Sequence, residues 1–334
     1  MSARAFSLIA AADGLPIMKK YSDLRGDTSS GVETQLRSQS FRLHNRMATI
    51  RHKVAILSGK GGVGKSSLTS NLAAALAEDG ARVAVLDADL NGPALAKMLG
   101  VRGAPLRIEG EGVEPPEGPL GIKVLSMDQL LPRDEAPLQW KAPTQEGSFV
   151  WRASAEAAAL REFLSDTAWW PLDFLLIDLA PGTDKISSLA SLLPEMSAAI
   201  VVTLPTEVSQ LAVRKSITLA TELWGATVVG VVENMAAYRC DRCGHEEPLF
   251  QGPDSAAMAR ELGVSFLGRI PFDPRLAAAA DRGVPYVRQE PGAPCATALR
   301  SVAAALRSFV ETEERRSPAV KESEEDRGDR RTGE

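Results

Sequence analysis

The ten residues SGKGGVGKSS (58–67) satisfy two nucleotide-binding patterns at the same time. Gly59, Gly61 and Gly64 spell G-x-G-x-x-G, which is typical of a dinucleotide-binding turn. Residues 59–66 also spell G-x-x-x-x-G-K-S, which is typical of the phosphate loop of a nucleoside triphosphatase. The first pattern predicts a dehydrogenase and the second predicts an ATP- or GTP-driven enzyme, so residues elsewhere in the chain have to discriminate between them.

The residues that follow the last glycine favour the phosphate loop. Lys65 is placed to neutralise the β and γ phosphates and Ser66 to bind Mg²⁺, whereas a dinucleotide turn has no use for this pair. A second apolar run ends near Asp87, an acid that either pattern accommodates. The run DFLLID (173–178) then supplies Asp178, the further acid that a phosphate-loop enzyme needs for its Mg²⁺ shell. The sequence therefore predicts an ATP-binding phosphate loop.

Short apolar runs alternate with amphipathic stretches from residue 53 onward. Strands are predicted at 53–58, 82–89, 122–127, 173–178, 197–205, 227–235 and 264–271, and helices at 66–80, 153–167, 209–224, 255–263 and 297–310. This alternation predicts an α/β fold with a mostly parallel, doubly wound sheet, which is the P-loop NTPase architecture. The phosphate loop follows the first strand, so the site is expected at the carboxyl edge of the sheet.

Composition divides the chain into three predicted segments: a flexible N-terminal arm (1–52) with one helix near 32–47, an ATPase domain (53–310) and a disordered, charged tail (311–334). The net charge of −5 over 334 residues disfavours a protein that coats nucleic acid. No apolar run approaches the roughly 20 residues that span a bilayer. We therefore expect a cytoplasmic protein with neither nucleic acid nor a membrane among its partners.

Lys60 gives the loop the form GKGGVGKS, which resembles the deviant Walker A group of ATPases. That group includes MinD, ParA, the nitrogenase iron protein and the Mrp/ApbC proteins. The resemblance implies a homodimer in which Lys60 reaches into the nucleotide site of the partner subunit, so that dimerisation and ATP binding are coupled.

Two further stretches, DADLNGPAL (87–95) and VVENMAAYRCDRCGHEEPLF (231–250), are similar to segments of the Mrp/ApbC proteins in particular. On this resemblance Asp89 is the acid that orients the attacking water or the waters on Mg²⁺, with Asp87 in support. The resemblance also implies that Asn234 contacts adenine. The C-x-x-C pair at 240–243 carries an iron–sulfur cluster.

The cysteine pair can also be considered by its chemistry. Two thiolates do not complete a tetrahedral site, and a cubane cluster needs four. A dimer with its two-fold axis at the cysteine loops supplies four thiolates from two chains. Two alternatives remain open at this point: Zn²⁺ held by Cys240, Cys243, His245 and Cys295, and a redox-active thiol pair. Cys295 and His245 are more typical of a buried thiol and a loop histidine than of ligands.

The chain departs from the family pattern in DLAPGTDKI (178–186), where DLPPGTGD is usual. Ala180 replaces a proline, and Asp184 and Lys185 replace a Gly-Asp pair. These differences bear on how the segment closes on the γ-phosphate and on the rate of hydrolysis.

The resemblance implies an ATPase that holds a [4Fe–4S] cluster between two subunits and transfers it to apo iron–sulfur client proteins. The alternatives are a MinD/ParA-type positioning or regulatory ATPase and a zinc-stabilised ATPase adaptor without a cluster. The predicted catalytic residues are Lys60, Lys65 and Asp89. The predicted nucleotide-binding residues are Gly59, Lys60, Gly61, Gly62, Val63, Gly64, Lys65, Ser66, Ser67 and Asn234. The predicted metal-binding residues are Cys240 and Cys243 for the cluster, and Ser66, Asp89 and Asp178 for Mg²⁺.

Overall fold

A computed structural model of the chain describes residues 29–109, 112–130, 148–169, 171–225, 229–240 and 242–329. In chain order, the strands of these residues are β1 (Ile50–Ser58), β2 (Val83–Ala88), β3 (Arg107–Glu109), β4 (Gly112–Glu114), β5 (Lys123–Ser126), β6 (Leu172–Leu179), β7 (Ala198–Thr203), β8 (Val229–Glu233), β9 (Ala237–Arg239), β10 (Glu246–Pro248) and β11 (Ser265–Arg269). Seven of them form one sheet in the order β11-β8-β7-β1-β6-β2-β5, and the others form two small hairpins.

The helices of the same residues connect these strands and cover the sheet. In chain order they are α1 (Ser29–Ala48), α2 (Lys65–Glu78), α3 (Leu95–Met98), α4 (Ser148–Asp166), α5 (Thr183–Leu192), α6 (Glu207–Trp224), α7 (Ser255–Glu261), α8 (Arg275–Asp281), α9 (Tyr286–Gln289) and α10 (Pro294–Asp329). Single 3-10 turns lie at Pro119–Gly121 and Met127–Leu130.

Every strand pair in the large sheet is parallel, and the strands inside its two edges are largely buried on both faces. One apolar core, which includes Leu160 and Ile217, lies on the side of α4 and α6. A second core, which includes Leu72 and Leu299, lies on the side of α2 and α10. Helices on both faces of a parallel sheet are the doubly wound arrangement, so the predicted fold class is confirmed.

The N-terminal boundary differs from the predicted one. Helix α1 spans Ser29–Ala48, and its Leu43 and Met47 are buried in the core beside α4. Strand β1 begins at Ile50, whose Cα pairs with Leu172, rather than at residue 53. His52 looks polar in the sequence, but it is buried and its ring lies 5.0 Å from that of Phe174. Residues 29–52 are therefore part of the fold, whereas residues 1–28 of the predicted flexible arm lie outside the described residues.

The C-terminal boundary also differs. Helix α10 was expected to end near 310, but it continues to Asp329. Val310 is buried against the sheet, and Glu314 forms a 2.8 Å ion pair with Arg51 at the amino end of β1. Glu, Arg and Lys have high helix propensity, so a charged sequence that follows a packed helix extends it readily. The predicted disordered tail (311–334) is thus helical through 329, and residues 330–334 lie outside the described residues.

Candidate functional site

The phosphate loop connects β1 to α2 at the carboxyl edge of the sheet, and close packing requires two of its glycines, Gly59 and Gly64. Gly64 has φ +88° and immediately precedes α2, whose N-terminal N–H groups are free to bind an anion. A Cβ at Gly64 would lie 2.2 Å from Asn234 Nδ2, and one at Gly59 would lie 2.4 Å from the Ala212 carbonyl carbon. The loop is therefore held between α6 and the end of β8.

We expect Gly64→Ala to weaken binding of a fluorescent ATP analogue about tenfold. The left-handed backbone costs on the order of 1 kcal/mol for a non-glycine residue, and the Asn234 clash has to displace the loop as well. Gly80→Ala is the matched control, because Gly80 has φ +82° and no atom lies within 4 Å of the position that its Cβ would occupy. Equal affinity and equal thermal stability in the two variants would contradict the role assigned to this contact.

Lys65, Ser66 and Asp178 lie together at the start of α2. Lys65 is only 8% exposed, and its Nζ lies 3.7 Å from Asp178 Oδ1. Ser66 Oγ donates a 2.5 Å hydrogen bond to Asp178 Oδ2, and Thr69 Oγ1 lies 3.3 Å from Oδ1. Burial raises the pKa of Asp178, while Lys65 and Ser66 act in the opposite direction. Thr69 was not predicted, although its spacing of four residues from Lys65 places it on the same helix face.

The two acids after β2 have different environments. Asp87 is buried, and its Oδ2 accepts hydrogen bonds from the N–H groups of Ala94 (2.8 Å) and Leu95 (3.0 Å) and from Ser126 Oγ (3.2 Å). Burial, followed by the charge of Asp178, raises the pKa of Asp87 to about 7. Asp89 is partly exposed and accepts from Gly92 N–H. Asp87 therefore supports the loop, and Asp89 is the acid available to a ligand.

These residues fit a hydrated Mg²⁺. Asp87 and Asp178 are register partners on neighbouring strands, and Asp89 contributes to the raised pKa of Asp178. A hydroxyl and carboxylates are the hard oxygen ligands that Mg²⁺ prefers. The strand ends bring the predicted residues Ser66 and Asp178 into contact, and they place Asp89 in the loop that follows β2.

Lys60 and Asn234 differ in their exposure to solvent. Lys60 is exposed, and its carbonyl accepts a 2.9 Å hydrogen bond from Ser58 Oγ. Asn234 is buried, and its Nδ2 donates a 2.9 Å hydrogen bond to the Val63 carbonyl. This second contact was not predicted from the sequence, and the adenine contact expected of Asn234 stays a prediction.

The C-x-x-C pair forms the turn of the β9–β10 hairpin. Cys240 N–H donates to the His245 carbonyl at 2.8 Å, and Gly244 N–H donates to the Cys240 carbonyl at 2.9 Å. Cys240 is half-buried and Cys243 is exposed. Cys295 lies at the start of α10 and is only 1% exposed, and burial raises the pKa of its thiol to about 12.

The zinc alternative required four ligands from one chain. Within the described residues, no three His, Cys, Asp or Glu side chains are grouped closely enough to hold a metal ion. The set Cys240, Cys243, His245 and Cys295 is therefore not assembled, because Cys295 belongs to the core while the cysteine pair occupies a surface hairpin. In the part of the chain that the structure describes, no helix is both long and apolar enough to cross a membrane.

Comparison with known proteins agrees with the geometry. The profile of a family described as "NUBPL iron-transfer P-loop NTPase" matches residues 49–307. An iron–sulfur cluster carrier protein of Saccharolobus solfataricus is 40% identical over 282 residues, which cover 84% of this chain and 91% of that protein. A protein of the same name from Methanocaldococcus jannaschii is 42% identical over 262 residues, covering 78% and 86% of the two chains.

Solved structures show the same fold. A nucleotide-binding protein of Archaeoglobus fulgidus in complex with ADP has a TM-score of 0.61 and 34% identity, covering 73% of this chain and 91% of that one. The MinD cell division protein of Aquifex aeolicus has a TM-score of 0.53 and 21% identity, covering 77% and 97%. At that identity the MinD likeness shows the fold alone.

Proposed function

Because the chain belongs to the family of NUBPL iron-transfer P-loop NTPases, we propose that it is an ATP-hydrolysing carrier of iron–sulfur clusters. The observation that carries the proposal is the short link between the phosphate loop and the cysteine hairpin. Asn234 donates to the loop at Val63, and Cys240 follows Asn234 by six positions. A change at the nucleotide can therefore reach the thiols through one short segment.

Two backbone hydrogen bonds hold the start of that segment in place. Ala236 N–H donates to the Ile270 carbonyl at 3.0 Å, and Phe272 N–H donates to the Ala237 carbonyl at 2.7 Å. The stretch FLGRIPFDPRLAAAADRGVPYV (266–287) also resembles the closing segment of the Mrp/ApbC proteins, and the resemblance implies that its I-P-x-D-P turn, here residues 270–274, lies near the base of the nucleotide. Both ends of a bound nucleotide would then contact elements that hold the hairpin.

In the proposed reaction the residues at the strand ends bind and orient ATP. The N–H groups at Gly59–Ser67 surround the phosphates, and Lys65 offsets their negative charge. Bound Mg²⁺ would add positive charge at the β and γ phosphates. Ser66 and Asp178 would hold the ion, the latter through its waters. Asp89 would orient the attacking water, and Asp87 keeps the Asp89 loop in place through the N–H groups of Ala94 and Leu95.

The cluster is the cargo of the proposed carrier. Each chain offers the thiolates of Cys240 and Cys243, and a second copy on a two-fold axis completes the four that a [4Fe–4S] cluster needs. Transfer is an exchange of ligands: client thiolates replace those of the carrier, which regain protons, and no net oxidation occurs. The exposed Cys243 leaves a path for this attack. The partners we propose are therefore a second copy of the chain and apo iron–sulfur proteins of the cytoplasm.

The proposal is tested by the iron, acid-labile sulfide and zinc contents of protein that has been reconstituted without oxygen. We expect about four irons and four sulfides for each pair of chains. Cys240→Ala/Cys243→Ala should abolish both, because it removes every ligand. Cys295→Ala is the matched control, since this buried thiol lies in the core, and it should retain the full content. Stoichiometric zinc in the parent protein, or no metal, would overturn the carrier proposal and leave a P-loop NTPase with another role.

A further inference from the structure

One carboxylate connects the two segments that carry the predicted acids of the nucleotide site. Glu156 lies on α4 and is 8% exposed. Its Oε1 accepts a 2.9 Å hydrogen bond from Asn91 Nδ2, and its Oε2 forms an ion pair with Lys185 Nζ. Each oxygen of a single buried side chain is thus bound to a different segment.

The positions of the two partners give this bridge its significance. Asn91 follows Asp89 by two residues, in the loop between β2 and α3. Lys185 lies in the first turn of α5, which begins after Gly182 at the end of the segment that starts with Asp178. Glu156 therefore joins the loop of the candidate water-orienting acid to the segment expected to close on the γ-phosphate.

Apolar packing between these segments is incomplete. A cavity of about 100 Å³ lies beside the bridge and is lined by Leu90, Ala180 and Ser188 among others. Close-packed side chains normally transmit position rigidly, so polar contacts matter more for the spacing of the two segments where this packing is incomplete. Strand pairing fixes the two segments as far as Ala88 and Leu179, and the bridge is a polar contact that links them beyond the strand ends.

The bridge also explains a departure from the family pattern. Lys185 stands where an acid is usual, and that acid could not pair with the Glu156 carboxylate. Burial disfavours the ammonium of Lys185, but the hydrogen bond and charge of Glu156 together raise its pKa. The charges of the lysine and the glutamate are therefore complementary.

We propose that Glu156 and Lys185 are positioning residues that hold the Asp89 loop and the 178–186 segment at the spacing required around the terminal phosphate of ATP. The role rests on the proposed nucleotide site. It concerns ATP in contrast to ADP, because the family resemblance implies that both connected segments meet the γ-phosphate, which ADP lacks. Neither residue contacts the reacting atoms.

The test uses Glu156→Gln, Lys185→Met and the charge exchange Glu156→Lys/Lys185→Glu in the full-length protein. Each single change should lower kcat about tenfold, because small displacements of catalytic groups cost up to about 100-fold. Each should also weaken a non-hydrolysable ATP analogue several-fold while the Kd of ADP stays within about twofold. The exchange should restore both quantities, since the Asn91 amide offers a donor and an acceptor and can bond to either side chain at 156.

Glu314→Gln is the matched control, because it removes the ion pair with Arg51 at the amino end of β1, whereas the candidate site lies at the carboxyl ends of the strands. It should change neither kcat nor nucleotide discrimination. Unaltered discrimination between the ATP analogue and ADP in both single variants would overturn the proposal, as would an exchange variant no better than the singles. The binding measurement requires no turnover. If the parent protein binds the analogue but does not hydrolyse ATP, the proposed ATPase activity is refuted. The binding measurement still decides whether Glu156 and Lys185 position the two segments.

Discussion

Lys65→Ala is expected to lower the ATPase rate by about 100-fold or more, because it removes a preorganised positive charge from the phosphate loop. The same change should also destabilise the nucleotide-free protein. Lys65 Nζ lies 3.7 Å from the fully buried Asp178, and removing one member of a buried pair leaves the other uncompensated. The loss of stability should be roughly 3 kcal/mol, measured by denaturant unfolding.

The double variant Lys65→Ala/Asp178→Asn separates these two effects. The neutral amide needs no counter-charge and keeps oxygen and nitrogen atoms near Ser66 Oγ and Thr69 Oγ1, so most of the lost stability should return. The ATPase rate should remain at the level of the single variant. A double variant that regains hydrolysis would show that Lys65 acts through stability alone, and a Lys65→Ala protein with full activity would refute the phosphate-loop assignment.

The sheet, and the end of it that carries the candidate site, were predictable because each strand is a short, continuous apolar run. Runs such as RVAVLDAD and DFLLID are buried on both faces, so an unbroken apolar pattern reports them directly. The boundaries were not predictable in the same way. His52 and the charged residues near Glu314 are placed by partners distant in the sequence, Phe174 and Arg51, and a local pattern does not contain those contacts.

The site shows the same division. The residue types of the loop Gly59–Ser67 indicate their chemistry from the sequence alone, and the structure places Ser66 Oγ in hydrogen-bond contact with Asp178. The contacts that hold these residues in position cannot be read from the sequence. Asn234 holds Val63 from 171 positions away, and Glu156 bonds to Asn91 from 65 positions away and to Lys185 from 29. The sequence identifies the groups that are predicted to bind the ligand, whereas the groups that position them depend on the fold.

The largest remaining effect concerns Lys60, which family resemblance places in the partner's site. Lys60 is exposed in its own chain, where Lys65 already pairs with Asp178. A charge that acts across a dimer can be separated from one that acts within a chain by mixing two inactive variants. Lys60→Ala lacks the crossing lysine, and Asp89→Asn lacks the predicted water-orienting acid. Each alone should lose about 100-fold in ATPase rate.

If Lys60 acts in the partner's site, a mixed dimer contains one complete site, built from the loop of the Lys60→Ala chain and the Lys60 of the Asp89→Asn chain. Random association makes half of the dimers mixed, so an equimolar mixture should regain about a quarter of the parent rate. Lys60→Ala mixed with Lys60→Ala/Asp89→Asn is the matched control, because no combination of those chains completes a site. A mixture that stays as inactive as this control would place Lys60 in its own site. ATP binding would then not hold the two chains together through Lys60. Some other contact between the chains would have to bring the two cysteine hairpins together.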